Sequence, residues 1–371
     1  MSQFNRIVRE LPSVTPFVGP EALERRIGRP LRLRLGANES AFGPSPRAIE
    51  NMMRAAHDTW MYADPEAFEL REMLAELHCV QRENIAVGAG IDDLLGLIAR
   101  ATVEPGVVAV APLGSYPIFP YTVLAQGGTL ERVPYVGIAA DIEGMIEAVR
   151  RVNPRLVYLA NPDNPSGSLT PKQKVMDLLA ATGPNSFFVL DEAYAEFATN
   201  GELPQIEAAD PRVIRLRTFS KVFGMAGSRI GYAIAAPETI ASWNKIKLHF
   251  SVNRVAIAAA IGSLEDTEHE AMVIRENANG LKDYSCLAQS HGLESRESHT
   301  NFQLWEMGSE ERAKQFLEDL LQLGVFIRMP FAEPLNTHVR MSVGPPEHRA
   351  LLREILAEHA DALGLRANVN A

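Results

Sequence analysis

Four clusters of reactive or anion-holding side chains stand out in the chain, three of them directly after a short apolar run. Asp191-Glu192-Ala193-Tyr194 follows FFVL (187–190), and Thr218-Phe219-Ser220-Lys221 follows VIRLR (213–217), with Arg229 eight residues past the lysine. Asn161-Pro162-Asp163-Asn164-Pro165-Ser166-Gly167 follows LVYLA (156–160), and Gly88-Ala89-Gly90-Ile91-Asp92 leads into a helical pattern. Together they offer an amine, a carboxylate, and hydroxyl, guanidinium and helix-start amide groups suited to an anion. Each has an ordinary reading by itself. Asn, Pro, Asp and Gly punctuate loops, DEAY suits a helix N-terminus, and most lysines sit in solvent. Their order and placement are what carry meaning.

Placement follows from the elements. The runs IAVG (85–88), VVAVA (107–111), LERVP (130–134), LVYLA, FFVL, VIRLR and IGYAIA (230–235) are strand-length and bounded by Gly, Pro, Asn or charge. Several are apolar throughout, which predicts strands covered on both faces, as in a mostly parallel α/β sheet flanked by helices. Helical patterns lie between them, at 92–103 and 171–182. Ligands of such sheets bind beyond the carboxyl ends of the strands, where these clusters fall. Past residue 255 helical patterns (270–291, 309–323, 347–363) alternate with NFQLWEM (301–307), GVFIRM (324–329) and HVRMSVG (338–344). This texture predicts a smaller α+β domain over 256–371, completed by an N-terminal arm (1–40), beside a large domain over 41–255. The stretch IKLHF…VNRVAIAAAI reads as one long connecting helix.

Bulk composition narrows the function. At 371 residues the chain suits two domains, and 46% hydrophobic with 22% charged residues is ordinary for a globular protein. A net charge of −10 argues against nucleic acid or an anionic membrane as partner. Cys79 and Cys286 form no spaced cluster, so neither a disulfide framework nor a metal site is expected. The N-terminus MSQFNRIVRELPSV lacks a signal-peptide core and no apolar run is long enough to span a bilayer, which predicts a cytoplasmic protein.

In this order the clusters resemble the fold-type-I, class I/II aminotransferases that use pyridoxal 5′-phosphate (PLP), and within them the histidinol-phosphate aminotransferase branch. The resemblance runs from about Leu35 to Gly344 through LGANES (35–40), YADPEAFELRE (62–72), GAGIDDLLGLIARATVEPG (88–106), DEAYAEF (191–197), RTFSKVFGMAGSRIGY (217–232) and VRMSVG (339–344). It implies that Lys221 is the Schiff-base lysine, its pKa lowered by desolvation and cationic neighbours. Asp191 then faces the pyridine nitrogen and keeps it protonated. Asn164 and Tyr194 match the residues bonded to the ring's phenolic oxygen, and Tyr116 the aromatic stacked on the ring. Gly90, Ile91 and Asp92 at the helix start, with Ser220 and Arg229, match the phosphate site. Tyr62 corresponds to a tyrosine that reaches the neighbouring subunit's phosphate, which implies a homodimer with shared active sites. For the substrate, Arg340 and Arg328 match anion-binding positions, with Asn38 at the same mouth.

One position departs from the pattern: the branch usually carries a tyrosine in the N-terminal arm that reaches the substrate phosphate, and here that position is Phe17. The expected reaction is transfer of an amino group from a small-molecule donor to a 2-oxo acid, with histidinol phosphate and 2-oxoglutarate as the leading pair. An aromatic amino acid donor stays open, as does a lyase or decarboxylase on the same fold, because the cofactor motifs are shared. A regulatory domain fused to a DNA-binding module lacks room before LGANES. A nicotinamide dehydrogenase lacks a strand–GxGxxG–helix unit.

Overall fold

The computed structural model describes residues 3–11, 18–199 and 201–366. Its centre is a seven-stranded sheet built from β1 (Ile85–Gly88), β2 (Val108–Pro112), β3 (Thr129–Val133), β4 (Leu156–Ala160), β5 (Phe187–Asp191), β6 (Val213–Thr218) and β7 (Gly231–Ala235), in the order β1-β7-β6-β5-β4-β2-β3. Only β7 runs antiparallel to its neighbours. The expected α/β architecture is therefore observed. The runs are continuously apolar because both faces are covered. Leu156, Tyr158 and Ala160 of β4 join one core with Leu94, Leu95 and Ile98, while Val157 and Leu159 join another with Val175 and Leu178.

Register places the chemistry. Ala160 pairs with Asp191 and Asp191 with Leu216, so β4, β5 and β6 deliver their following loops side by side. Helix α1 (Ile91–Thr102) starts at Gly90, whose φ of 88° few other residues adopt, and no side chain caps its first amides.

A second sheet of three antiparallel strands comprises β8 (Glu294–Ser295), β9 (Phe302–Glu306) and β10 (His338–Ser342). Its core also takes in Leu33 and Leu35. Leu33–Arg34 pairs in parallel with Val325–Phe326, which brings residues 35–39 beside β10.

One expectation needs correcting. The stretch from Ile246 is not a single long helix. Lys245–Ser251 runs through turns, and helix α2 (Arg254–Glu265) begins only at Asn253, whose side chain accepts from the Ala256 amide at 2.8 Å. Ile246, Leu248 and Phe250 are exposed. Among the described residues no helix is long and apolar enough to cross a membrane. Nor do any three His, Cys, Asp or Glu side chains cluster to hold a metal ion.

Candidate active site

A cavity of about 460 Å³ opens at the carboxyl edge of the large sheet, walled on the far side by residues 37–39, 328–331 and 340. Lys221 reaches into it from the turn after β6. Its Nζ donates to the Asn38 carbonyl at 3.0 Å and lies 5.5 Å from the centre of the Tyr194 ring. Desolvation lowers its pKa to about 8, with Arg340 adding to the effect.

Asp191 lines the cavity at the end of β5 and is itself buried. It accepts from the Tyr158 hydroxyl at 2.8 Å and from the Ala193 amide at 3.1 Å. Burial raises its pKa to about 6, against the pull of these two donors. Neither of those donors is a cation, so the site suits a ligand that brings one.

Tyr194 is buried, and its hydroxyl accepts from the Asn38 amide at 2.9 Å. Burial drives its pKa far up, so it stays a neutral phenol. The Arg340 guanidinium donates to the Asn164 side-chain oxygen at 2.5 Å and to the Gly36 carbonyl at 3.0 Å. With the Asn164 oxygen engaged, its NH2 group is the part left to donate to a ligand. The Nε of Arg340 is buried and meets no acceptor within the protein. Arg328 stands beside it, joined by an antiparallel backbone bridge, and also donates to the Val18 carbonyl at 2.9 Å. Burial lowers the pKa of both arginines, to about 10 for Arg340, which still leaves them cationic at neutral pH.

At the other end lies an anion cradle. Ile91, Asp92, Ser220 and Arg229 line the wall there. Gly90 stands behind them, where a Cβ would come within 2.6 Å of the Arg229 guanidinium. Glycine is thus what allows that guanidinium to lie over the helix start. Asp92 accepts from the Tyr116 hydroxyl at 2.9 Å and sits 3.6 Å from Arg229.

The fold brings together Lys221, Asp191, Tyr194, Asn164, Tyr116, Ile91, Asp92, Ser220, Arg229, Asn38, Arg328 and Arg340. Tyr62 is not among them: it is 78% exposed, outside the cavity, with its ring packed on Phe250 at 4.6 Å. Phe17 lies outside the described residues. Sequence reasoning missed Tyr158, whose one signal is a polar tip in an otherwise aliphatic strand. It also missed Ser115, Met329 and Phe331, which line the cavity from loops.

An amine poised to lose its proton, beside a buried carboxylate awaiting a cation, is equipment for moving amino groups. The comparison with known families agrees: residues 32–357 match the family described as aminotransferase class I and II, and the chain belongs to it. Among individual proteins it is similar to histidinol-phosphate aminotransferase from Akkermansia muciniphila, 33% identical over 95% of this chain and 98% of that protein. It is also 35% identical to the enzyme of the same name from Roseiflexus castenholzii, over 95% of this chain and 97% of that one. The crystal structure of histidinol-phosphate aminotransferase from Sinorhizobium meliloti in complex with pyridoxal-5′-phosphate superposes with a TM-score of 0.94. Its sequence is 44% identical, and the match covers 98% of this chain and 99% of that chain.

Proposed function

We propose that this PLP-dependent aminotransferase acts on histidinol phosphate as amino donor, with 2-oxoglutarate as acceptor. The carrying observation is the pair of adjacent guanidiniums, Arg328 and Arg340, at the mouth of a cavity in a chain whose relatives bear that enzyme's name. The single phosphate of histidinol phosphate and the two carboxylates of 2-oxoglutarate would meet these two cations in turn.

The cavity fits PLP on its own terms. Asp191, buried without a cation among its donors, would hold the proton on the ring nitrogen. Asn164 and Tyr194 would bond the phenolic oxygen and Tyr116 would cover the ring. The helix-start amides after Gly90, with Ser220 and Arg229, would take the phosphate. When bound, PLP supplies a carbonyl for the amino group and a ring that withdraws electrons from the donor's α carbon. Lys221 provides the attachment point, and its Nζ then moves the proton from that carbon. Arg340, through its unpartnered Nε, would grip the donor's phosphate and later the acceptor's carboxylate, and so orient each toward that base.

Assembly belongs to the same proposal. Trp60, Tyr62, Leu248 and Phe250 are each more than half exposed on neighbouring turns, an apolar area suited to a second copy of the chain. In such a dimer Tyr62 would serve the partner's phosphate site. We also place the enzyme in the cytoplasm, and assign 41–255 to the PLP-binding part and 1–40 with 256–371 to the part that closes over it.

Phe331, 71% exposed at the mouth beside Met329, favours a secondary activity on phenylalanine or tyrosine. Measuring kcat/KM across histidinol phosphate, histidine, phenylalanine and tyrosine tests the reading. An inert histidinol phosphate alongside rapid turnover of an aromatic amino acid would make this an aromatic aminotransferase. Omitting the acceptor tests the reaction class: a transaminase stops after one oxo product per site, whereas a lyase or decarboxylase continues.

A further inference from the structure

Asp163 holds a buried carboxyl group for which the chemistry above has no use. It is 2% exposed and does not line the cavity, although its chain neighbours Pro162 and Asn164 both do. Its Oδ1 accepts from the Ser115 hydroxyl at 2.9 Å. Its Oδ2 accepts from the Tyr135 hydroxyl at 2.9 Å, the Ser166 hydroxyl at 2.7 Å and the Ser166 amide at 3.2 Å. Burial pushes its pKa up, and the bonds from Ser166, Ser115 and Tyr135 pull it back. A buried carboxylate satisfied by hydrogen bonds alone is an expensive way to stabilise a fold. What those bonds join gives it a purpose.

Ser115 precedes Tyr116 in the loop after β2, and Ser166 closes the loop that carries Asn164. Tyr135 belongs to a separate small hairpin, Tyr135–Val136 with Ala139–Ala140, that braces the first loop from behind. The brace is tight, since a Cβ on Gly114 would come within 2.9 Å of the Tyr135 ring. The Asn164 loop is also pinned to itself, by the Asp163 amide on the Ser168 carbonyl and the Gly167 amide on the Asp163 carbonyl, each at 2.9 Å.

We propose that Asp163 is a positioning residue that ties the Tyr116 loop to the Asn164 loop, setting the gap between the ring-covering and the oxygen-bonding side chains. The proposal rests on the PLP reading of this cavity. Only a carboxylate can accept on both oxygens at once, and here each oxygen holds a different loop. Asparagine keeps most of this. Its amide oxygen can take the three donors now on Oδ2, and its NH2 can donate to the Ser115 oxygen once that hydroxyl turns.

The test uses full-length protein stripped of PLP, well below its melting temperature. Two quantities are read: the dissociation constant for PLP, and the induced circular dichroism per bound PLP, which reports how rigidly the ring is held. Asp163→Ala should weaken PLP binding roughly ten- to a hundredfold and diminish the dichroism. Asp163→Asn should restore both to within about threefold of the parent. A folded Asp163→Ala with parental affinity and dichroism, changed only in melting temperature, overturns the proposal. Should that variant fail to fold, Tyr135→Phe decides: it removes one donor without touching the cavity wall. Weaker binding with reduced dichroism then supports the tie, and parental values overturn it. Failure of the parent to bind PLP would instead overturn the cofactor reading, and is seen before any variant is made.

Discussion

Replacing Asp191 with asparagine separates two consequences of burying a carboxylate. In the unfolded chain this group ionises near 3.8, whereas in the folded, PLP-free protein burial holds it near 6. Between those values the folded protein keeps a proton that the unfolded chain has lost, so stability falls as pH rises through the window. Above about 6 the full loss is present, about 3 kcal/mol for a gap of this size. Asparagine cannot ionise and escapes it. The exchange has a cost, because the NH2 must face the Tyr158 hydroxyl, which turns from donor to acceptor, at about 1 kcal/mol. Asp191→Asn should therefore make the PLP-free protein more stable by about 2 kcal/mol at pH 7, yet slightly less stable near pH 4. Catalysis should move the opposite way. Removing one partner of a buried ion pair costs about 3–5 kcal/mol, which predicts a kcat lower by a hundredfold or more at pH 7. Thermal midpoints of the PLP-free proteins at the two pH values, together with turnover of the loaded enzymes, check both halves. Midpoints that stay parallel from pH 4 to 7, or a variant with parental turnover, refute the reasoning.

Lys221→Ala should abolish both turnover and covalent retention of PLP. In the parent, the rate at which PLP-free protein captures PLP should rise with pH and level off above about 8, the range set by desolvation of Lys221, whereas an ordinary lysine would still be gaining. Stopped-flow absorbance across pH reads this, and a capture rate still climbing steeply at pH 10 refutes it. Glu192 is fully buried and accepts from Arg215 at 3.0 Å and Arg217 at 2.9 Å, contacts that outweigh burial and keep its pKa low. Glu192→Gln should destabilise the protein by about 3–5 kcal/mol at neutral pH, measured by denaturant titration, and a loss under 1 kcal/mol would mean that solvent reaches the arginines. Light scattering at assay concentration should give a dimer, and an active monomer there would end the role given to Tyr62.

The large sheet was legible because its strands bury both faces, which turns alternation into unbroken apolar runs such as LVYLA and FFVL. The cluster at the strand ends was legible for the same reason, since α/β topology sends those loops to one edge. What escaped the sequence was contact at a distance. Nothing near Asp163 points to Tyr135 or Ser115, and nothing in FFVLD says that Tyr158 of the adjacent strand will bond Asp191. Arg328 was found through its match to a family position, because the strand before it is only two residues long. The misread helix at 246–261 failed on a different account. Residues 246–250 leave their apolar side chains exposed in turns, and the Asn253 cap starts the helix only at Arg254.

The pairing of Leu33–Arg34 with Val325–Phe326 bears on how the enzyme comes into being. The carbonyl that receives Lys221 belongs to Asn38, a few residues beyond that early strand, and Arg340 follows the late one. During synthesis the early strand must wait for a partner made 292 residues later, roughly 15–60 s at ordinary ribosomal rates. The seven-stranded sheet has all its strands once Ala235 has emerged, well before that partner exists. A nascent chain halted after residue 300 should therefore present the helix start, Lys221 and Asp191 on a formed sheet while Leu33–Arg34 still has no strand to pair with. Catalytic competence is conferred by the last segment made, so a truncated chain is left without a complete pocket.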